Sequence, residues 1–448
     1  MYRDIFGPRI KGLSTHSARW VRKHLPSRGR ILLVCLLTAL LAGFGAWLLK
    51  ELIALLSTWL TSGLKEGGVN WQLLVFPALG IVLTGLLQRG VFKRRVTEGT
   101  EQLSADVKAK RYTIPHQLVY QPILGCTVTI GMGGSAGAEG PIAYAGAAIG
   151  NNSARFLGLD PEICRLMIGI GAGAGIAAIF KAPLAGVFYT LEVLGLQIGT
   201  YSVLGLVATC MLSAFITYAL SGFTVQVMWA HAQTTFDYAQ TPWLLLMGVL
   251  IGLYSLWYNG TGGRLGAMWK RMRPRWLANT LAGLGIGVMI WLIPDLFGEG
   301  YGALQKVLAG DMASLTDYSP LRGLSPAVAI PLILAVIIAV KGMMVSSTDK
   351  GGGIAGTFAP TLFAGCMAGA LMAMGASALG CPLPASQIAY LCMAGAMAGI
   401  IGAPLMATFI TVEVTQTYTL LLPVAIVAFT SYATTQWVTH QWKLKKTI

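Results

Sequence analysis

The strongest constraint on this chain is where charge does not occur. From Gly351 to Val412 there is no Asp, Glu, Lys or Arg, and after the single Glu413 the run Val414–Thr439 is again uncharged. Ile31–Leu49 and Val193–Ala230 are likewise free of charge. Such runs are long enough to span a bilayer as helices. An ordinary soluble domain is about 25% charged, whereas this chain is 11% charged and 55% hydrophobic. In lipid every backbone polar group needs an internal partner, so only helices or a closed barrel can cross. A lipid-facing barrel alternates in short segments, and these runs do not. The expected fold is an all-α polytopic membrane protein. Ile31–Leu49 is not a cleaved signal peptide, because the hydrophilic stretch before it is too long.

The formal net charge is +15. The excess clusters at Arg3–Arg30, Arg89–Arg111, Arg264–Arg275 and Lys443–Lys446, beside apolar runs. That placement argues against nucleic acid. It follows the positive-inside rule, with both termini cytoplasmic, and allows contact with anionic lipid headgroups. The expected organisation is a basic cytoplasmic segment 1–30, a first transmembrane half 31–260, a basic linker 261–276, a second half 277–439 and a short basic end 440–448. The seven cysteines lack CxxC pairing and sit mostly in apolar runs, as small buried hydrophobes do. No metal site or cofactor is implied.

Between Arg111 and Arg155 the only charged residue is Glu139, in Gly131-Met-Gly-Gly-Ser-Ala-Gly-Ala-Glu-Gly-Pro141. A lone carboxylate at membrane depth costs roughly 2.5–3.5 kcal/mol at a helix centre and marks a functional site. The glycines let the backbone bend and bare its N–H groups, and Pro141 suits the first turn of a new helix. A broken helix that points amides inward is an anion site. No Gly-Lys-Ser/Thr follows, so this is no nucleotide loop.

The chain also repeats itself. Lys181-Ala-Pro-Leu-Ala-Gly-Val-Phe-Tyr-Thr-Leu-Glu-Val193 resembles Gly402-Ala-Pro-Leu-Met-Ala-Thr-Phe-Ile-Thr-Val-Glu-Val414, at an offset of 404 − 183 = 221. Gly137-Ala-Glu-Gly-Pro141 has a counterpart in Gly356-Thr-Phe-Ala-Pro360, at 356 − 137 = 219. Paired Gly/Pro-interrupted segments in two halves point to a transport site at the repeat interface. The small residues of Pro183–Gly195 and Pro404–Val424 suit a two-fold contact between copies.

These motifs, in this order, resemble the CLC family of chloride channels and chloride/proton antiporters, of the prokaryotic type without CBS domains. The resemblance implies an inverted repeat of two halves with broken, tilted helices, working as a homodimer in the cell (inner) membrane. It implies chloride as the transported ion, with protons as a second one. It makes Glu139 the gate, within the motif residues Gly137, Gly140 and Pro141. Gly356, Thr357 and Phe358, ahead of Pro360, would offer backbone amides to the anion. Tyr418 would turn its hydroxyl toward the same ion. The family's early GSGIP motif is absent, and Thr100, beside Glu101, stands in its place. Ala138 precedes Glu139 where many relatives carry a cation. Lys341, fifteen residues before Gly356, would contribute positive field. The antiporters' internal proton glutamate falls on Val193.

The implied function is therefore chloride transport gated by Glu139, as a chloride/proton antiporter. The alternatives are a passive channel, which Val193 favours, and a fluoride-transporting relative, for which no selective motif stands out. An intramembrane enzyme would need paired acids, Ser/Lys or a His cluster, and Glu139, Glu192 and Glu413 are single acids far apart in sequence. A neutral amide mimics a protonated carboxyl, so Glu139→Gln is expected to abolish the pH dependence of anion flux. Liposome flux across a pH series checks this; an unchanged steep profile removes Glu139 from the gate.

Overall fold

Glycine and proline set where the helices of this chain start and stop. The computed structural model describes residues 24–65, 70–93, 96, 100–109, 113–196, 199–223, 241–381 and 383–447. Among them are sixteen α-helices. The first half holds α1 Ser27–Thr61, α2 Gln72–Gly90, α3 Thr100–Lys108, α4 Gln121–Gly131, α5 Glu139–Phe156, α6 Pro161–Phe180, α7 Pro183–Phe188 and α8 Thr200–Leu220. The second holds α9 Thr241–Arg271, α10 Arg275–Leu292, α11 Tyr301–Leu308, α12 Pro326–Gly351, α13 Phe358–Ala378, α14 Ala385–Ile401, α15 Pro404–Thr415 and α16 Leu421–Thr447. Nine of these elements, among the described residues, contain spans long and apolar enough to cross a membrane.

Proline opens α6, α7, α12 and α15, where its missing N–H costs nothing. The helices before the two Ala-Pro-Leu turns end alike: Lys181 (φ 55°) closes α6 and Gly402 (φ 85°) closes α14, both left-handed. These positions differ by 402 − 181 = 221, the sequence offset of the repeat.

The packing repeats as well. In the first half α1 lies on α4, α6 and α8, α5 on α6, and α6 on α8. In the second, α9 lies on α12, α14 and α16, α13 on α14, and α14 on α16. α2 meets its counterpart α10, and α7 meets α15, across the axis of an inverted repeat. This moves the expected boundary. α9 is the counterpart of α1, so the halves divide between Leu220 and Thr241, not at a linker of 261–276. Residues 261–271 are helix, because Gly262 and Gly266 let α9 settle on α12: a Cβ at Gly262 would strike the Gly342 carbonyl, and one at Gly266 the Ser346 hydroxyl. At the ends, residues 27–30 form the first turn of α1 and residues 440–447 continue α16. The rest of the expected N-terminal segment, 1–23, lies outside the described residues.

α5 crosses α6 backbone against backbone. A Cβ at Gly146 would meet the Gly171 carbonyl, one at Gly171 the Gly146 carbonyl, and one at Gly150 the Met167 carbonyl. Small residues allow this approach, which supplies dispersion contact where lipid gives no hydrophobic drive. All seven cysteines are free, and all but Cys381 are buried. Gly171→Ala forces one backbone against another and is expected to cost about 1–3 kcal/mol. Gly260→Ala, in an open stretch of α9, should be neutral or gain about 0.5–1 kcal/mol. Thermal midpoints in detergent of the two variants check the pair; equal shifts would contradict the close crossing.

Candidate functional site

The site forms where the two glycine breaks meet. Gly137 N–H donates to the Gly356 carbonyl at 2.9 Å, and Gly356 N–H donates back to the Gly137 carbonyl at 2.5 Å. The pair is an isolated antiparallel bridge, made by residues at equivalent places in the repeat. It sets α5, which starts at Glu139, beside α13, which starts at Phe358. The first N–H groups of each helix have no intrahelical partner. Two helix N-termini therefore converge on one buried point.

Glu139 fills it. Its side chain is 0% exposed. One carboxylate oxygen accepts from Ala359 N–H of α13 at 3.3 Å, and the other from the Tyr301 hydroxyl at 3.2 Å. The glycines are required sterically. A Cβ at Gly137 would collide with the Glu139 carboxylate and lie 3.0 Å from Pro360; one at Gly356 would lie 2.7 Å from Gly140 N. Pro141 and Pro360 occupy the third positions of their helices. Thr357 caps α13 and is partly buried, while Phe358 is 0% exposed. The structure thus gathers Gly137, Glu139, Gly140, Pro141, Gly356, Thr357, Phe358 and Pro360, and adds the amide of Ala359.

A shell of charge surrounds this point. Lys341 on α12 is wholly buried; its Nζ donates to Ser135 Oγ at 2.7 Å and lies 4.7 Å from the Phe363 ring centroid. Ser135 in turn donates to the Leu296 carbonyl at 2.7 Å. Lys341 therefore points its amine inward instead of reaching for the membrane surface. Sequence reasoning missed three further residues. Lys50 on α1 holds both oxygens of Glu299, at 2.8 and 2.7 Å, and its Nζ lies 4.6 Å from the centroid of the Tyr301 ring. Glu299 also accepts from Ala138 N–H at 3.3 Å. The available signal was Gly298-Glu-Gly-Tyr-Gly302, an acid between glycines. Over this shell opens a cleft of about 490 Å³ lined by Lys50, Ser57, Asp295, Glu299, Tyr301 and Gln305.

Other expected residues stand elsewhere. Thr100 begins α3, half-buried, and α3 packs on α5 and α6; among the described residues no hydrogen bond ties it to Glu139. Tyr418 is 54% exposed on the Tyr418–Leu420 turn ahead of α16. The tyrosine beside Phe358 is Tyr189, fully buried and edge-on, with ring centroids 5.7 Å apart. Val193 ends a single π-helical turn, Tyr189–Val193, and packs partly buried against the core.

Glu192 beside it has a different task. Its carboxylate accepts from Leu405 N–H at 3.1 Å and Met406 N–H at 2.8 Å, at the start of α15. Glu413 answers from α15, accepting from Leu184 N–H at 3.0 Å and Ala185 N–H at 2.9 Å at the start of α7. Each helix is capped by the acid of its repeat partner, the charge placement that helix N-termini favour.

Comparisons with known proteins agree with this architecture. Residues 80–436 match the family described as voltage gated chloride channel. The voltage-gated ClC-type chloride channel ClcB of Salmonella typhi is 28% identical over 80% of this chain and 82% of its own length. The H(+)/Cl(-) exchange transporter ClcA of Vibrio parahaemolyticus is 26% identical over 66% of this chain and 62% of its own. A slow cyanobacterial Cl-/H+ antiporter superposes with a TM-score of 0.77 at 20% identity, over 91% of this chain and 95% of that one.

The capping geometry yields a test. Glu192→Ala strips two N–H groups of their acceptor and is expected to cost about 1–2 kcal/mol, lowering the thermal midpoint in detergent. Anion flux and any accompanying proton movement should persist in liposomes. Loss of proton movement at unchanged stability would mean that Glu192 serves the proton path.

Proposed function

The chain belongs to the voltage-gated chloride channel family, the CLC family, and from that premise we propose that it carries chloride past Glu139 in exchange for protons. It is a transport protein, with no enzymatic step. The observation that carries the reading is the Glu139 carboxylate itself, buried at the α13 amides where an anion would bind. While ionised, it holds Ala359 N–H and occupies the place of the anion. Protonation removes its charge and weakens that hold, because a neutral carboxyl is a poorer acceptor than a carboxylate. Chloride then takes the amides of Thr357, Phe358 and Ala359. Neutral N–H donors suit a large, weakly hydrated anion, since they bind it without trapping it. Proton and anion thus act in turn on one amide set, which is the basis for exchange.

Gly137 and Gly140 keep the mouth of α5 free of side chains, and Pro141 and Pro360 stiffen the two first turns. Lys341 contributes a positive field beside the loop that carries Glu139. Thr100 and Tyr418 keep the roles that family resemblance suggests, a hydroxyl on each flank of the anion path, with Tyr189 a further hydroxyl beside Phe358.

Val193 bears on the proton. It offers no titratable group, and the Glu192 carboxylate is engaged at Leu405 and Met406. Proton transfer through an apolar interior needs a titratable group or a water chain, so protons reach Glu139 from the cytoplasmic side through water. The same residue supports a second reading, a passive chloride channel without coupling.

The protein would work as a homodimer in the inner membrane, with both termini cytoplasmic by the placement of its basic segments. Leu405, Leu422 and Phe429 leave an apolar face exposed along α15 and α16, which suits a two-fold contact in lipid. Reversal potentials of the reconstituted protein under crossed chloride and proton gradients decide between the two readings. Exchange moves the reversal potential off the chloride equilibrium value when the proton gradient is changed. A potential that follows chloride alone assigns a channel.

A further inference from the structure

We propose that Glu299 is a second carboxylate gate, one step outward from Glu139 on the same anion path, and that Lys50 is the cation that docks the anion displacing it. The inference rests on the reading of Glu139 as the gate of an anion path and adds a site to it.

Glu299 repeats, at the mouth of α5, what Glu139 does at the mouth of α13. Glu139 accepts from Ala359 N–H, and Glu299 accepts from Ala138 N–H, the residue just before Glu139. The two carboxylates are joined through Tyr301, whose hydroxyl donates to Glu139 while its ring lies under Lys50. Lys50 grips both oxygens of Glu299. An ammonium and a backbone amide converging on one negative oxygen form a donor set that a halide ion can take over unchanged. The set is within reach of solvent: the Lys50 and Glu299 side chains are 20% and 10% exposed and line the wall of the 490 Å³ cleft.

The backbone gives Glu299 a way to move. Gly298 (φ 63°) and Gly300 (φ 86°) flank it in the left-handed region, which glycine adopts without strain. Of the other charges nearby, Asp295 at the cleft pairs with Lys306 at 3.0 Å, Glu51 on α1 lies at the cleft wall, and Lys341 on α12 is buried and bonded to Ser135. Lys50 is thus the cation set between the cleft and the gate, and it stands in for the basic residue that Ala138 replaces. The cleft lies at the end of α10 away from Arg264–Arg275, so it is the face opposite the basic linker.

The test is chloride flux in proteoliposomes, with chloride varied separately on the cleft side and on the opposite side. Glu299→Gln should lower the half-saturating chloride on the cleft side about ten-fold, the affinity equivalent of one charge-assisted hydrogen bond, and leave the other side unchanged. Lys50→Met should raise the cleft-side value by about the same factor with a smaller effect on the maximal rate, and Lys50→Arg should restore it. Unmoved values, or equal shifts on both sides, would make Lys50–Glu299 a structural ion pair and overturn the proposal. Should Glu299→Gln be too unstable to reconstitute, Glu299→Asp shortens the side chain away from Ala138 and should shift affinity in the same direction. Crystals of the Glu299 variant in bromide give a readout besides flux: a bromide at Ala138 N–H and Lys50 is expected, and none there contradicts the second gate. A wild type that moves no chloride defeats the transport reading. An active wild type with unmoved cleft-side values defeats only the gate at Glu299.

Discussion

The structure depends on one reciprocal pair of hydrogen bonds, between Gly137 and Gly356. Each residue breaks a helix in its own half, and each satisfies the backbone group the other exposes. Within a membrane an unpaired N–H or C=O is costly, so neither break is tolerable alone. Paired, they hold the starts of α5 and α13 together and aim their free N–H groups at one point. Glycine is obligatory at both positions, because any Cβ would enter the Glu139 carboxylate or the Gly140 amide. The same logic recurs at α7 and α15, where Glu192 and Glu413 cap each other's helix. The repeat is thus a set of mutual obligations between halves, and this is what lets irregular backbone exist at membrane depth.

A second constraint is charge balance around the site. Glu139, Glu299, Lys50 and Lys341 sum to zero formal charge. Buried ion pairs often fail to repay their desolvation, so stability alone is a weak reason to keep four such groups. Their positions suit the proposed path better: Lys341 and Lys50 would supply field where Ala138 supplies none, and both carboxylates sit on backbone amides. On the proposed path a halide would meet amides, hydroxyls and ammonium groups in succession, none of which would bind it as a permanent counter-ion.

Much of this was legible in the residues. The uncharged runs gave the helices, and two motif pairs at nearly one offset gave the repeat. Glu139 stood out because no other charge lies between Arg111 and Arg155, and Lys341 because of its distance from Gly356. What stayed hidden depends on contacts across the repeat. Lys50 and Glu299 are 249 positions apart, and each alone reads as the polar end of an apolar run or a loop acid. The division between halves was misplaced because Arg264–Arg275 reads as a linker, while Gly262 and Gly266 carry α9 onto α12. Glu192 and Glu413 were visible as a pair of repeat positions, yet their reciprocity needs the axis that brings α7 onto α15. Tyr418 was chosen by its order after Glu413; Tyr189, which packs against Phe358, opens a π-helical turn that sequence periodicity does not reveal.

The central claim is that the Glu139 carboxylate occupies an anion position at the α13 amides. Calorimetric titration of chloride into purified wild type and Glu139→Gln, in the same detergent and at the same pH, tests it most directly. A neutral side chain vacates the amides, so the variant should bind one more chloride per chain than wild type. Equal stoichiometry in a folded variant would contradict the account.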